Sequence, residues 1–173
     1  MGVAEALGYE IKPSNAAQRA MQQVASSRPG AWVFSKVLHH ADRRLNKLSK
    51  GRYTVPTIVA GLPVVMVTTT GARSGQARTM PLLAIPVGDD LAVIGTNFGQ
   101  TSTPGWVYNL EADPHATVAY RDRQVDVVAR PATGEEFDAA LSAAAKVYPG
   151  YDKYRERISG RQVRVFVLEA GAT

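Results

Sequence analysis

The spacing of hydrophobic residues changes once along this chain. Between Trp32 and Lys50 they recur at every third or fourth position, which predicts an amphipathic helix with basic residues on its polar face. After residue 55 the period becomes two, which predicts strands. The expected strands are Val64–Thr70, Arg78–Val87, Leu91–Thr96, Ala116–Tyr120, Gln124–Arg130 and Gln162–Ala170.

Helix signals lie between these strands. In GQTSTPGWVYNLEADP, Thr103 is a candidate N-cap and Pro104 suits the first position of a short helix. Thr133 and Glu136 match a capping box that opens a longer helix. The sequence YPGYDKYRERISG then ends that helix and starts another. The apolar face of the longer helix consists of Phe137, Ala140, Leu141, Ala144 and Val147.

The order of these elements predicts an α+β fold. Links of hairpin length favour antiparallel strands, because parallel strands need long crossover connections. We therefore expect a barrel of about six mostly antiparallel strands, with an N-terminal helix and flanking helices. Pro81 and Pro86 interrupt the second strand, so they are expected at an edge, a bulge or a strand end.

The first 28 residues are expected to form a separate N-terminal segment that is partly helical. Residues 1–13 should be irregular, and residues 14–27 should form a short helix that ends before Pro29. The start of the chain lacks a basic stretch followed by an apolar core, so no secretory signal is expected. Residues 29–173 have a length that suits a single domain.

The composition narrows the chemistry. There is no cysteine, which excludes disulfides, thiolate nucleophiles and cysteine-ligated clusters, and which fits a cytoplasmic protein. The longest apolar stretch, TIVAGLPVVMV, is too short to span a membrane and contains a proline. His39 and His40 are adjacent on a predicted helix and point to different faces, so no metal site is expected.

The positive charge is concentrated in the first third of the chain. Residues 1–60 carry nine Lys and Arg against three Asp and Glu, whereas residues 61–173 carry eleven against twelve. An anionic membrane surface or a polyanion could use this charge, and so could solvent alone. No helix-turn-helix or RNA-recognition motif accompanies it, so no nucleic-acid partner is expected.

The sequence TTTGARSGQARTMPL places two glycines and two arginines between two predicted strands. It is neither a P-loop nor a dinucleotide fingerprint, because no G-K-[ST] ends it and a strand follows. Arg73, Ser74 and Arg78 would suit a phosphate or carboxylate, while Gly71 and Gly75 let the backbone turn and bring N–H groups close to a ligand. An ordinary hairpin with solvated arginines has the same composition, so both interpretations stay open.

Several motifs together carry a resemblance to a known family. TTTGARSGQARTMPL, GTNFGQTSTPGWVYNL, ARPATGEE and YPGYDKY occur in this order. From about residue 43 to residue 169 the chain resembles the deazaflavin-dependent nitroreductases, which are actinobacterial reductases that use coenzyme F420. The resemblance implies a split β-barrel, related to flavin-binding proteins of the pyridoxamine-phosphate-oxidase type. This agrees with the antiparallel barrel predicted from the strand order.

The resemblance also implies a coenzyme site. The glycine and arginine loop would hold the phosphate and acidic tail, and the following strand would lie along the tricyclic ring. The implied cofactor-binding residues are Arg73, Ser74, Gly75, Gln76, Arg78, Met80, Pro81, Leu82, Gly95, Thr96, Asn97 and Trp106. Many relatives have a lysine in place of Asn97, so this chain has one cation fewer there. Pro104, Trp106 and Asn109 match a P-x-W-x-x-N element, in which Trp106 is either a pocket wall or core.

Three tyrosines match the substrate side of the family's site and are implied as catalytic residues. Tyr148, Tyr151 and Tyr154 carry phenols that are protonated at pH 7 when their pKa is near its ordinary value. Such donors would stabilise negative charge that develops on an acceptor oxygen during hydride transfer. Tyrosines three residues apart also suit a packed helix face, so that interpretation stays open.

The resemblance as a whole implies a cytoplasmic reductase. It would transfer a hydride from reduced F420 to a small-molecule acceptor such as a quinone, a nitroarene or an activated enone. The basic helix before residue 51 adds the option of peripheral contact with the inner face of the membrane. The alternatives are a related barrel that uses FMN and a non-catalytic protein that binds the deazaflavin. The sequence does not indicate the oligomeric state.

Overall fold

Six antiparallel strands form a closed barrel. The computed structural model describes residues 1–11, 15–27, 29, 62, 64–148, 150–158 and 160–171. Within them the strands are β1 (Val64–Thr70), β2 (Ala77–Val87), β3 (Asp90–Ile94), β4 (His115–Tyr120), β5 (Arg123–Pro131) and β6 (Val165–Ala170). Their order around the barrel is β1-β2-β3-β6-β5-β4, and β4 pairs with β1 to close it. The predicted antiparallel barrel is confirmed.

The described parts of the chain also contain five α-helices and one 3₁₀ turn. The helices are α1 (Val3–Leu7), α2 (Ala16–Ser26), α3 (Gly105–Ala112), α4 (Gly134–Val147) and α5 (Gly150–Arg157), and the turn is Asn97–Gly99. None of these helices combines the length and the apolar character needed to cross a membrane. The basic helix predicted between residues 32 and 50 lies outside the described residues.

Helix α1 is anchored in the barrel core. Val3 and Leu7 are buried among the inward-facing strand residues. The N–H of Val3 donates to the Asp90 carboxylate at 3.3 Å, and the N–H of Ala4 donates to the carbonyl of Asp89 at 3.0 Å. The prediction that residues 1–13 are irregular is therefore wrong for Val3–Leu7. A five-residue helix is too short to show a helical period, and burial stabilises it more than local propensity does.

The register of the strands defines two ends of the barrel. Thr69 lies opposite Ala116, so the end of β1 lies beside the start of β4. Ile94 lies opposite Val165, so the end of β3 lies beside the start of β6. We call this the loop end. We call the opposite end the turn end. There, one tight turn joins β2 to β3 and another joins β4 to β5. Helix α1 packs against the β2–β3 turn.

Two hydrophobic cores lie on the two faces of the barrel wall. Alternate strand residues fill the interior, and Val67, Val93 and Phe166 are at most 2% exposed there. A second core lies outside the wall, where α4 and α5 cover β3, β6 and part of β2. The predicted apolar face of α4 is confirmed, because all five of its residues belong to this outer core or pack against it.

Strand β2 accommodates two prolines because each half of it pairs with one neighbour among the described strands. Residues 77–83 pair with β1, and residues 84–87 pair with β3. Pro81 lies in the first half and Pro86 in the second. A proline is tolerated where one side of a strand needs no backbone donor. Each proline therefore lies where β2 is paired on one side only among the described strands, although β2 is not an edge strand of the closed barrel.

Two predicted helix starts differ from the structure. Thr133 is the N-cap of α4, but its side chain makes no capping hydrogen bond. Glu136 instead accepts two bonds from the Arg130 guanidinium at 2.7 and 2.9 Å, which lower the pKa of its carboxyl. The predicted capping box is wrong because this bidentate charged pair takes the carboxylate. Helix α3 has Pro104 as its N-cap, not Thr103.

Tyr9 provides a test of how firmly the N-terminal residues hold the barrel. Its buried hydroxyl donates to the carbonyl of Ala84 in β2, and burial raises the pKa of this phenol. We expect Tyr9→Phe to lower the free energy of unfolding by about 1–3 kcal/mol, because a buried carbonyl loses a donor. Urea unfolding measures this. Tyr108→Phe is the control, since Tyr108 is 53% exposed, and equal effects in both variants would contradict the expectation.

Candidate functional site

The loop between β1 and β2 is compact and depends on its glycines. The N–H of Gly71 donates to the carbonyl of Gln76 at 2.9 Å, and the N–H of Gly75 donates to the carbonyl of Gly71 at 2.7 Å. Gly75 has a φ of +64°, in the left-handed region that favours glycine. A Cβ on Gly71 would lie 2.7 Å from the hydroxyl of Ser74. The conformation of the loop therefore favours glycine at both positions.

Asn109 of α3 braces this loop. Its Oδ1 accepts the N–H of Ala72 at 3.0 Å, and its Nδ2 donates to the hydroxyl of Thr69 at 2.9 Å. Thr69 is buried at the end of β1. The two hydrogen bonds of Asn109 therefore connect the loop, the end of β1 and helix α3. Asn109 was not among the predicted binding residues. Its place in the P-x-W-x-x-N element was the signal that could have identified it.

The loop presents charged side chains more than backbone donors. Most of its N–H groups are bonded within the loop or to Asn109. The expectation that the glycines bring free N–H groups close to a ligand is therefore not met for these groups. Arg73, Ser74 and Arg78 are exposed, and Nη2 of Arg78 lies 3.5 Å from Oγ of Ser74. Neither arginine has an acidic partner among the residues that the structure describes. Two uncompensated cations therefore lie here, Arg73 in the loop and Arg78 at the start of β2.

A second predicted segment follows β3 at the same loop end. A Cβ on Gly95 would lie 2.9 Å from Val107 of α3, so this position requires glycine or movement of a buried side chain. Asn97 and Phe98 have φ angles of +48° and +56°, which are uncommon for residues other than glycine. Nδ2 of Asn97 donates to the carbonyl and hydroxyl of Ser102 at 3.0 and 3.1 Å. Asn97 therefore uses its side chain to hold the turn.

Arg161 reaches this turn from the segment before β6. Its guanidinium donates to the carbonyls of Gly95, Thr96 and Gln100 at distances of 2.9 to 3.3 Å. Burial lowers the pKa of Arg161, and the nearby charge of Arg164 acts in the same direction. No sequence motif marks Arg161, and its partners lie more than sixty residues earlier, so sequence reasoning missed it.

Three other predicted residues, Met80, Leu82 and Trp106, contribute to packing. Met80 and Leu82 face the barrel interior and pack against the inner core, whereas Pro81 between them faces outward. Trp106 is 6% exposed, and its ring centroid lies 6.0 Å from that of Phe166 in an edge contact. The geometry therefore supports a core role for Trp106, and it does not place all three β2 residues along one ligand surface.

The three predicted tyrosines form one cluster in the outer core. Each is 5–6% exposed, and the ring centroid of Tyr148 lies 5.9 Å from those of Tyr151 and Tyr154. The hydroxyls of Tyr148 and Tyr154 are hydrogen-bonded at 3.0 Å. Burial raises the pKa of all three phenols, so they are protonated at pH 7. The ring of Phe98, 6.2 Å from that of Tyr154, connects the cluster to the turn after β3.

A groove of about 640 Å³ lies beside the loop, on the outer face of β1, β4 and β5. Thr68, Thr70 and Thr117 line it, and Gly75 bounds it on the loop side. The carboxylate of Asp126, also in its lining, accepts a hydrogen bond from Thr117 at 2.9 Å. Hydroxyl groups and one carboxylate thus lie next to the cationic loop.

Comparison with known proteins assigns this arrangement to a family. A sequence profile of the F420H(2)-dependent quinone reductases matches residues 40–170. The chain belongs to this family. The match includes the braced loop, the turn after β3 and the tyrosine cluster, which were the segments that carried the resemblance in the sequence.

Individual members of the F420H(2)-dependent quinone reductase family show how far the similarity extends. The chain is 31% identical to such an enzyme of Mycobacterium tuberculosis over 78 residues, which are 45% of this chain. This match spans only about half, 52%, of the relative's own length. A putative enzyme of the same description from Mycobacterium bovis gives the same values.

Solved structures agree with the fold. A structure of an F420-H2 dependent reductase, FDR-A, superposes with a TM-score of 0.57 at 33% identity, and the match covers 62% of this chain and 94% of that one. A second structure, described as a domain-swapped dimer, gives a TM-score of 0.59 at 29% identity and covers 82% of this chain and 99% of that one. Both support the split-barrel architecture.

Proposed function

We propose that this protein is an oxidoreductase that transfers a hydride from reduced coenzyme F420 to a quinone or a similar electrophilic small molecule. The observation that carries the proposal is the braced loop with Arg73 and Arg78, two exposed cations without an acidic partner among the described residues. Such a loop suits a phosphate or a chain of carboxylates. Membership of the family supplies the identity of the cofactor.

The charges around the loop indicate where the anionic part of the coenzyme would bind. Arg73, Arg78 and the Ser74 hydroxyl would hold the phosphate and acidic tail by charge-assisted hydrogen bonds. The neighbouring groove suits an anion less well, because the carboxylate of Asp126 in its lining would repel one. We therefore assign the anionic part of the coenzyme to the loop and not to the groove.

The bound coenzyme would supply the two-electron hydride donor. The protein's own residues would orient it, exclude water and stabilise negative charge on the acceptor. Tyr148 and Tyr154 are the proposed donors, since both are buried, protonated and hydrogen-bonded to each other. A hydrogen bond to developing charge is stronger in such a low-dielectric environment than in water.

The proposal places the enzyme in the cytoplasm, with a small molecule as its acceptor. Contact with the inner face of the membrane is not part of it, because the basic segment between residues 32 and 50 lies outside the described residues. The absence of cysteine is compatible with the reducing conditions of that compartment.

A side-by-side titration with F420, FMN and FAD tests the proposal. We expect F420 to bind in the micromolar range or tighter, and more tightly than FMN, because its acidic tail meets the two arginines. Oxidation of the reduced coenzyme by menadione should then be observed. Tighter binding of FMN would favour a flavin enzyme. Tight F420 binding without turnover towards any acceptor would favour a non-catalytic binding protein.

A further inference from the structure

The turn after β3 has an unusual backbone. Asn97, Phe98 and Gly99 have consecutive positive φ angles of +48°, +56° and +78°. Only glycine adopts this region without a steric penalty, and asparagine tolerates it better than phenylalanine does. Other contacts must therefore hold the turn in this conformation.

Arg161 supplies contacts on both sides of the turn. Its Nη1 donates to the carbonyl of Gly95 at 3.0 Å, and its Nη2 donates to that of Thr96 at 2.9 Å. Nη2 and Nε also donate to the carbonyl of Gln100, at 3.1 and 3.3 Å. One planar guanidinium thus joins the residues that enter the turn to the residue that leaves it. A lysine ammonium, with all its donors on one atom, lacks this fork geometry.

The turn lies between two parts of the candidate site. On one side, Gly95 packs against Val107 in α3, the helix that also braces the arginine loop. On the other side, a Cβ on Gly99 would lie only 3.2 Å from the Cα of Tyr154, and the ring of Phe98 contacts the Tyr154 ring edge-on. A shift of this turn would therefore move the wall between the loop and the tyrosine cluster.

We infer that Arg161 is a positioning residue, which clamps the carbonyls of Gly95, Thr96 and Gln100 so that this turn forms a fixed wall of the F420 site. The identity of the ligand in this inference rests on the proposed function. The role of Arg161 in holding the turn does not depend on that function. Arg161 has no carboxylate partner in the described ranges, so its charged donors serve the backbone of the turn.

Hydrogen exchange of the ligand-free protein tests the structural part. The amides of Thr96, Gly99 and Gln100 are bonded to carbonyls within the segment, so their exchange reports its opening. We expect Arg161→Ala to speed this exchange by about tenfold or more, and Arg161→Lys to give an intermediate increase. The control is Arg164→Ala, because Arg164 instead pairs with Glu111 at 3.1 Å on the surface.

Unchanged exchange in a folded Arg161 variant would overturn the inference, and circular dichroism establishes which variants are folded. If the alanine variant does not fold, the lysine variant decides the outcome, because it keeps the charge and much of the side-chain volume. Faster exchange in the Arg164 control to the same extent would also overturn it, since the effect would then not depend on the clamp.

F420 titration tests the functional part. Arg161→Lys should weaken binding at least about fivefold, with wild-type affinity in Arg164→Lys, because the Arg161 side chain contacts the carbonyls of the turn whereas the Arg164 side chain pairs with Glu111. Wild-type affinity in a folded Arg161→Lys protein would overturn the positioning role. If the unmodified protein binds no F420, the proposed function fails and the functional part fails with it. The exchange result then still decides whether Arg161 holds the turn.

Discussion

Removing the hydroxyl of Tyr148 or Tyr154 is expected to slow quinone reduction by about a hundredfold, the loss found when a well-aimed donor to developing charge is deleted. Each phenol is buried, and the two hydroxyls lie 3.0 Å apart, so water cannot readily replace either of them. Stopped-flow oxidation of reduced F420 by menadione measures the rate in the Tyr148→Phe and Tyr154→Phe variants. Coenzyme affinity should hold, because the arginine loop lies in another segment.

A comparison of the reduction rates of three tyrosine variants separates the catalytic and packing interpretations. Each of the two variants also loses the same buried hydrogen bond, so we expect a loss of about 1 kcal/mol in the free energy of unfolding. Tyr151→Phe is the matched comparison, since Tyr151 has the same burial but lies outside the hydroxyl pair. We expect it to reduce menadione faster than the other two variants. Wild-type rates in all three variants would show that the hydroxyls serve packing alone.

Replacement of Arg78 by alanine is expected to weaken F420 binding by about 1.5–3 kcal/mol, as for a lost charge-assisted hydrogen bond. Arg78 is exposed beside the loop hydroxyl and has no acidic partner among the described residues, so its removal leaves no buried charge behind. Fluorescence titration measures the dissociation constant. Added salt should weaken binding by the wild type more than by the variant, because part of the attraction is screened.

Arg121→Ala is the control for this change. Arg121 is also an exposed arginine, but the strand register places it in the β4–β5 turn at the opposite end of the barrel. The Arg121→Ala variant should therefore keep wild-type affinity for F420, although it changes the net charge by the same amount as Arg78→Ala. An equal loss of affinity in both variants would indicate general attraction between the protein and an anion. An unchanged dissociation constant in Arg78→Ala would assign that arginine to solvent.

The sequence identified elements whose pattern repeats along the chain. Strands β1, β2, β4 and β5 were predicted to within one residue at each end, because alternation along a strand is a strong local signal. Helix α1 was missed, because its five residues are held by contacts with the distant turn at Asp89 and Asp90. The capping box at Thr133 failed for a related reason, since Arg130 binds Glu136 more strongly than the helix terminus does.

The candidate site was predictable to the extent that its residues occur in one short motif. The loop arginines and glycines could be read from the sequence, but the brace could not, because Asn109 is 37 residues from Ala72. Arg161 is farther still from its partners and belongs to no motif. The resemblance implied that Met80, Pro81 and Leu82 all lie along the coenzyme ring. Strand alternation, however, places Met80 and Pro81 on opposite faces of the sheet.

The brace through Asn109 has a consequence for how ligand binding and unfolding are linked. Helix α3 holds the loop through Asn109, and the same helix places Val107 and Leu110 in the inner core. A ligand that binds only the folded loop stabilises the protein in proportion to the logarithm of its concentration, by about 2.7 kcal/mol at a hundred times its dissociation constant. Coenzyme carried through purification would therefore raise the apparent melting temperature. Conversely, a change that loosens α3 would lower affinity even with both loop arginines intact.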